Sequence, residues 1–421
     1  MTQPSVVPCG DHSTHAGPVP IGAAPEPRPG DGVAQRPAER SRTPEPRRGG
    51  GLGRNARSFV ARDARRLRYR RRRALHRAGD WLMGEASRSG DPDPWEAVPW
   101  RRTGMCGRTV VPGAAGVSLR VMAGDDGPTA FAAGQFHCAR HLCPVCGSVL
   151  KTRRAIELDL AARRHVEQGG TMVMVTATMR HTADHSLADL LAALQGSWTS
   201  VQQSAVWRSV RSSLVGTVKA LEITTGHAPD AKYRHGWHPH LHVLLMVEAG
   251  AHDAVLDGLS RLPEMWANRV ERRLGARPGA AGVDIRPLGA DAAAYLSKVT
   301  DEITRSDWKQ GRQVGSLYDA LEAGEAYALP VVQELWTATK GKRWLVFSRG
   351  LRAALLPDVE ELTDEEIIEQ ELAAVEVEVV SIEVWRDWLS TAGEDGRTPR
   401  AAYELERIER EWVEARAASP P

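Results

Sequence analysis

Apolar positions along this chain alternate between two spacings. Short runs at 172–178, 218–224, 243–247 and 283–288 are rich in Val, Ile, Leu and Met and have the length of strands. Between them lie longer stretches with apolar residues three and four apart, at 151–168, 187–204 and 251–274, the second opened by Ser186 as a helix N-cap. A further helix is predicted over 291–303. From residue 172 the order is therefore strand, helix, strand, strand, helix, strand, helix. That order predicts an α+β fold, an antiparallel sheet with helices packed on one side. Trp198 and Trp207 are expected in its core. Beyond it, 316–339 reads as helical, 341–352 as a basic strand, and 358–381 alternates acidic with apolar residues before a charged helix at 400–417. The residues from 356 to 421 are expected as an acidic helical tail, solvated or in contact with a partner.

The first fifty residues have no such pattern. Pro, Gly, Ala, Arg and Ser dominate them, and such a composition buries too little apolar surface to offset the entropy of ordering. Arg65, Arg66, Arg68, Arg70, Arg71, Arg72 and Arg73 then crowd a predicted helix. The expectation is a disordered basic arm over 1–98, with Arg70, Arg71, Arg72 and Arg73 on DNA phosphates; the alternative is a solvated basic tail. Arg153, Arg154, Arg163 and Arg164 offer a second basic surface. The totals conceal this, since 55 Lys and Arg against 53 Asp and Glu leave a net charge of +2, and the acidic stretch 358–378 offsets the basic start.

Five cysteines, an odd number, and a polar, Arg- and Pro-containing N-terminus argue against a secreted disulfide scaffold and point to the cytoplasm. The longest apolar runs fall far short of the ~20 residues that span a bilayer, so no membrane partner is expected. Four of the cysteines fall within 99–150, a segment of short strand-like pieces and Gly turns. Cys143 and Cys146 form a CxxC knuckle, and Cys106 and Cys138 can complete a tetrahedral thiolate site for structural Zn2+, with His137 or His141 as substitutes for one thiol. A redox pair or buried free thiols are the alternatives.

The residues with most chemical content lie in 236–245, which reads GWHPHLHVLL. His240 and His242 are two apart, so on an extended strand both project from one face and can grip one divalent ion. Glu222, on the preceding strand, reaches the same ion if the two strands pair. His238 is separated from the pair by Pro239 and is expected beside the ligands, not among them. The predicted helix 291–303 carries Tyr295 and, three residues on, Lys298. No P-loop accompanies them.

The segments HPHLHVLL and AYLSK, with the Thr-containing strand MVTATMRH at 174–181, resemble in order and spacing the three motifs of the HUH endonucleases, specifically the rolling-circle replication initiators of bacterial plasmids. The resemblance covers about 100–355. It implies an RRM- or ferredoxin-like core and an endonuclease domain over 151–355 preceded by a zinc element. It also implies site-specific nicking and rejoining of single-stranded origin DNA through a phosphotyrosyl link, with Tyr295 as nucleophile, Lys298 favouring its phenolate, and a catalytic Mg2+ or Mn2+ at His240, His242 and Glu222. Asp291, one helical turn before Tyr295, matches the carboxylate position that activates water in termination, and equally the helix N-cap. Origin DNA, a host helicase and a DNA polymerase are the implied partners. A transposase or relaxase with the same site, or a non-catalytic DNA-binding protein, are the competing readings.

Overall fold

The computed structural model describes residues 52–88, 101–124, 127–231, 234–288, 314–369 and 374–418. The predicted helix 291–303, with Asp291, Tyr295 and Lys298, lies outside the described residues, as does the expected disordered stretch 1–50.

Five antiparallel strands form the main sheet: β3 (Thr171–Ala177), β4 (Leu214–Gly226), β5 (Gly236–Val247), β6 (Val283–Leu288) and β7 (Leu345–Phe347), ordered β6-β3-β5-β4-β7. The α+β class expected from the alternation of elements is the one observed. On one face, the odd-numbered Leu241, Val243 and Leu245 of β5 pack with Leu221 and Ile223 of β4 against α4 (Leu187–Gln202), α6 (His252–Leu259) and α7 (Leu262–Leu274). Trp198 of α4, Trp207 of α5 (Ala205–Arg211) and Trp266 of α7 meet edge to face here, with centroids 5.2 and 6.5 Å from Trp198. Ser186 caps α4 by accepting from the Asp189 N–H. The predicted helix 251–274 is broken at Ser260–Arg261, with a proline in the first turn of α7, where its missing N–H costs nothing.

The even-numbered face has its own cover at one end. Leu244 and Met246 of β5, Met172 and Met174 of β3 and Val218 of β4 meet Leu158, Ala161 and Ala162 of α3 (Cys146–Glu167) and Leu351 and Leu355 of a short helix, Leu351–Leu355. Helices thus lie on the expected face and over part of the other. The basic strand predicted over 341–352 shrinks to β7, because Gly350 takes the left-handed φ of +83° that turns the chain into that short helix.

A second sheet, β2-β1-β8, joins β1 (Val117–Met122) and β2 (Thr129–Ala133) to β8 (Val375–Val380), under helices Ile382–Ser390 and Arg400–Ala418. The residues expected as an acidic tail are therefore built into the fold. Val380 and Trp385 share a core with Val117 and Leu119.

The largest departure concerns the arginines. Over Leu52–Arg88 the expected disordered arm is a 37-residue helix, α1, whose Ala74, Leu75, Ala78 and Leu82 are buried. Arg65 and Arg66 pair with Glu409 and Glu406 of the C-terminal helix, and Arg71 pairs bidentately with Asp319. Arg73 reaches Glu322 and the Arg397 carbonyl, and Arg72, 2% exposed, donates to the Gln135 side chain at 2.9 Å. Arg70 is half-buried. Arg71, Arg72 and Arg73 thus strap α1 to the rest of the fold, a structural use that the expectation of phosphate contacts at Arg70, Arg71, Arg72 and Arg73 did not include. Arg154 and Arg164 are likewise paired, with Glu157 and Asp364 and with Asp358.

Candidate functional site

Two groups of ligand-type side chains stand apart in the described residues. The first is the cysteine knuckle. α1 lies over it, with His76 Nε2 2.9 Å from the Cys106 carbonyl oxygen. The loop 139–142 carries the chain from Cys138 back to Cys143, and the His141 carbonyl packs so tightly on Gly147 that an added Cβ would sit 2.2 Å from its oxygen. Only glycine fits there, directly after Cys146. Ala139 takes a left-handed φ of +49°, unusual for a residue with a Cβ.

These constraints bring all four sulfurs into one buried cluster. Sγ of Cys106 is 3.5 Å from that of Cys146 and 3.6 Å from that of Cys143, and Cys138 is 3.8 Å from Cys146. A tetrahedron of thiolates around zinc at ~2.3 Å has edges of ~3.8 Å, so the spacing fits a bound metal such as zinc without rearrangement. The His137 Nδ1 sits 3.7 Å from Cys106 Sγ and 3.9 Å from Cys146 Sγ, outside the tetrahedron. Burial opposes a charge on that imidazole, but its hydrogen bonds to the Cys106 and Cys146 sulfurs outweigh burial and lift its pKa to about 9. His141 turns away to Asp364, at 3.1 Å, so neither histidine substitutes for a thiol.

The second group is the histidine face of β5. Antiparallel register places Glu222 opposite His240, Ala220 and Thr176 opposite His242, and Thr224 opposite His238. Paired residues share a face, so His238, His240, His242 and Glu222 project together. His242 Nε2 lies 2.8 Å from Glu222 Oε2, both side chains being buried, and Nδ1 lies 3.2 Å from Thr176 Oγ1. The His240 ring lies 6.2 Å from that of His242, within 26° of parallel, and 4.1 Å from that of His238. His238 Nδ1 is 2.5 Å from His181 Nε2, and His181 Nδ1 is 3.1 Å from the His235 carbonyl. Burial holds the His181 pKa below its usual value.

Among the described residues, the four cysteines are the group whose ligand atoms converge as in a filled metal site. The imidazoles and Glu222 are gathered on one face, with Glu222 bonded to His242. Two neighbours carried no role in the sequence reading, Thr176 and His181. The signal for Thr176 was parity: it lies on the same sheet face as His242 once β3 pairs with β5. His181 appeared only as the last residue of the motif at 174–181, and it lies beyond β3. Half-buried Glu334 completes the frame, accepting from the Leu187 N–H at 2.6 Å and the Trp237 indole at 2.8 Å.

Comparison with known proteins adds a family. The model of the replication protein family matches residues 130–395, taking in both groups except Cys106. Over 148 residues the chain is 30% identical to a protein rep of Streptomyces lividans, covering 28% of this chain and 31% of that protein. Over 228 residues it is 28% identical to a neomycin resistance protein of Streptomyces cyanogenus, covering 44% and 49%. A protein rep of Streptococcus pneumoniae is 24% identical over 218 residues, covering 49% and 63%. The alignments thus span between about a third and two thirds of these relatives. No solved structure matches the chain.

Proposed function

Since this chain belongs to the replication protein family of bacterial plasmids, we propose that it initiates rolling-circle replication by nicking and rejoining origin DNA at the histidine face. The observation that carries this is the placement of Glu222 opposite His240 and within 2.8 Å of His242 on one sheet face. Two imidazoles and a carboxylate on adjacent strands form a donor set suited to Mn2+, Mg2+ or Zn2+. When bound, such an ion supplies Lewis-acid stabilisation of the charge on a phosphate oxygen.

The protein's residues do the rest. Thr176 orients His242 through Nδ1, which directs Nε2 toward the carboxylate and the site. His238 and His181 brace the open end of the same face. Tyr295, within the helix predicted over 291–303, attacks the phosphorus through its phenolic oxygen; the P–O3′ bond breaks, the phenol gives up its proton, and the departing 3′ oxygen takes one up. One phosphodiester is exchanged for another, so the step reverses without ATP. Lys298, three residues on in the same predicted helix, favours the phenolate, and Asp291 activates water in termination or caps that helix. The free 3′ hydroxyl then primes a host DNA polymerase, with strand separation by a host helicase, and Zn2+ at Cys106, Cys138, Cys143 and Cys146 has a structural role.

Supercoiled plasmid carrying the native origin, incubated with protein and Mn2+, tests this. Open circles extendable by a polymerase are expected, and His240→Ala with His242→Ala should abolish them. DNA bound but never cut would favour a non-catalytic DNA-binding protein. Cleavage confined to transfer-origin or transposon-end sequences would favour a relaxase or transposase.

A further inference from the structure

A groove lies between the cysteine knuckle and the edge of the main sheet. Arg140 and His141 border it from the knuckle, Trp336 and Lys340 from the helix Ala328–Ala338 and the residues after it, and Lys342 and Trp344 from the segment leading into β7. It encloses about 110 Å³. We infer that this groove is a nucleotide subsite, taking one base of the single-stranded DNA against Trp344 and the adjoining phosphate at Lys340 and Lys342. The inference rests on the strand-transfer reading above and names where the DNA goes after it leaves the histidine face.

Three observations support it. Trp344 is half-buried, and its indole and the His141 imidazole lie within 30° of parallel with centroids 6.1 Å apart, a pair of flat surfaces suited to base stacking. The charge balance is cationic. Of the two acidic residues at the rim, Asp364 is engaged by His141 at 3.1 Å and Arg154 at 2.9 Å, which leaves Glu365 against Arg140, Lys340 and Lys342. Among the described residues neither lysine has an acidic partner.

The third observation is continuity with the site. The Trp344 carbonyl accepts the Leu221 N–H at 2.9 Å, and Leu221 immediately precedes Glu222. The groove therefore lies at the start of the edge strand β7, where Trp344 packs on the Leu221 face of the sheet, opposite the face of Glu222, and a strand leaving the histidine face reaches it by turning over that edge. A DNA strand passing over that edge meets the indole next. The groove wall is also fixed: residues 139–142 are held between Cys138 and Cys143, the Leu142 carbonyl accepts from Tyr318, and Tyr318 accepts from the Trp336 indole.

The test is photo-crosslinking with full-length protein and single-stranded oligonucleotides of mixed sequence, each with 5-iododeoxyuridine at one position, without added divalent ion. A crosslink to the peptide containing Trp344 is expected at one position of the series. By anisotropy at fixed salt, Trp344→Ala should weaken binding about 10-fold, equivalent to about 1.4 kcal/mol. Lys340→Gln with Lys342→Gln should weaken it and flatten the salt dependence by about 0.7 in slope, the value for one phosphate no longer neutralised on a single strand. The double variant changes surface residues and serves if Trp344→Ala fails to fold. Wild-type affinity in the folded variants, or crosslinks confined to other peptides, would overturn the subsite while leaving nicking intact. Loss of nicking activity with Trp344-dependent binding retained would instead sink the strand-transfer reading alone.

Discussion

The cysteine knuckle and the histidine face look alike in composition, each a handful of metal-binding side chains on a short stretch, but the fold treats them differently. The knuckle draws three sulfurs from loops and turns and the fourth from the first residue of α3, and packs them into one buried tetrahedron beneath α1. The histidine face takes its side chains from two adjacent strands and leaves them as a row, with Glu222 turned to His242 and His238 turned to His181. Ligands that already converge suit a metal held for the sake of the fold. A row of imidazoles beside a carboxylate suits the proposed reaction, in which the donors would be shared between an ion and a phosphate.

That contrast can be broken most sharply at the knuckle. Cys143→Ser, or removal of zinc by a chelator, should unfold 99–150 and the α1 contacts with it, since structural zinc contributes on the order of 10 kcal/mol in small domains. Thermal melting with native mass spectrometry checks this. An unchanged melt with no zinc bound and all thiols open to alkylation would remove the metal from the account.

At the histidine face the expected effect is on rate instead. His242→Ala should leave the melt within about 1–2 kcal/mol of wild type while nicking falls by ~10²–10³-fold, the counterpart of several kcal/mol of lost charge stabilisation. A protein that unfolds but, where folded, nicks normally would reverse the two roles.

The arginine helix gives a third, smaller contrast. Arg72→Ala should cost about 1–3 kcal/mol by stranding the Gln135 side chain, with no change in the salt dependence of DNA binding. A weaker, flatter salt response at full stability would restore the arm as a DNA contact.

The smallest effect is expected at Asp364. Burial raises its pKa, but the hydrogen bonds from His141 and Arg154 outweigh this and hold it at about 2, below the usual 3.8. A carboxylate depressed in the folded state stabilises fully above the unfolded value, and the contribution disappears as pH falls through about 2. Asp364→Asn should therefore narrow the stability difference from wild type between about pH 4 and 2, as read by denaturant midpoints. A difference that stays constant over that range would show that the charge is not what matters.

What the sequence made legible was local. Apolar runs placed β3, β4 and β6 within a few residues and the C-terminal half of β5, because each strand buries a continuous stretch and parity then fixes which side chains share a face. The same parity brought His240, His242 and Glu222 together on paper. The CxxC at Cys143 and Cys146 announced itself, and Cys106 followed from being a thiol near enough in sequence.

What the sequence hid depended on distance along the chain. Nothing near Arg65 or Arg66 indicates that Glu409 and Glu406, more than 330 residues on, would neutralise them. The apolar stripe of Ala74, Leu75, Ala78 and Leu82 was present but masked by arginine stems that themselves bury along the helix. For the same reason β8 read as tail: its partner β1 lies over 250 residues earlier, and an alternation of Glu and Val suits a solvated segment as well as a sheet edge. The groove at Trp344 is assembled from three segments none of which is distinctive alone.

The central claim is that a phenol breaks a DNA strand at the histidine face and stays attached to it. It is tested most directly by incubating the protein with labelled single-stranded origin DNA and Mn2+, isolating the covalent adduct and locating the modified residue by peptide mass spectrometry. The account predicts a single phosphotyrosyl link at Tyr295, absent from Tyr295→Phe and from the His240→Ala, His242→Ala protein. An adduct that persists in Tyr295→Phe, or that forms equally well without the two imidazoles, would contradict it.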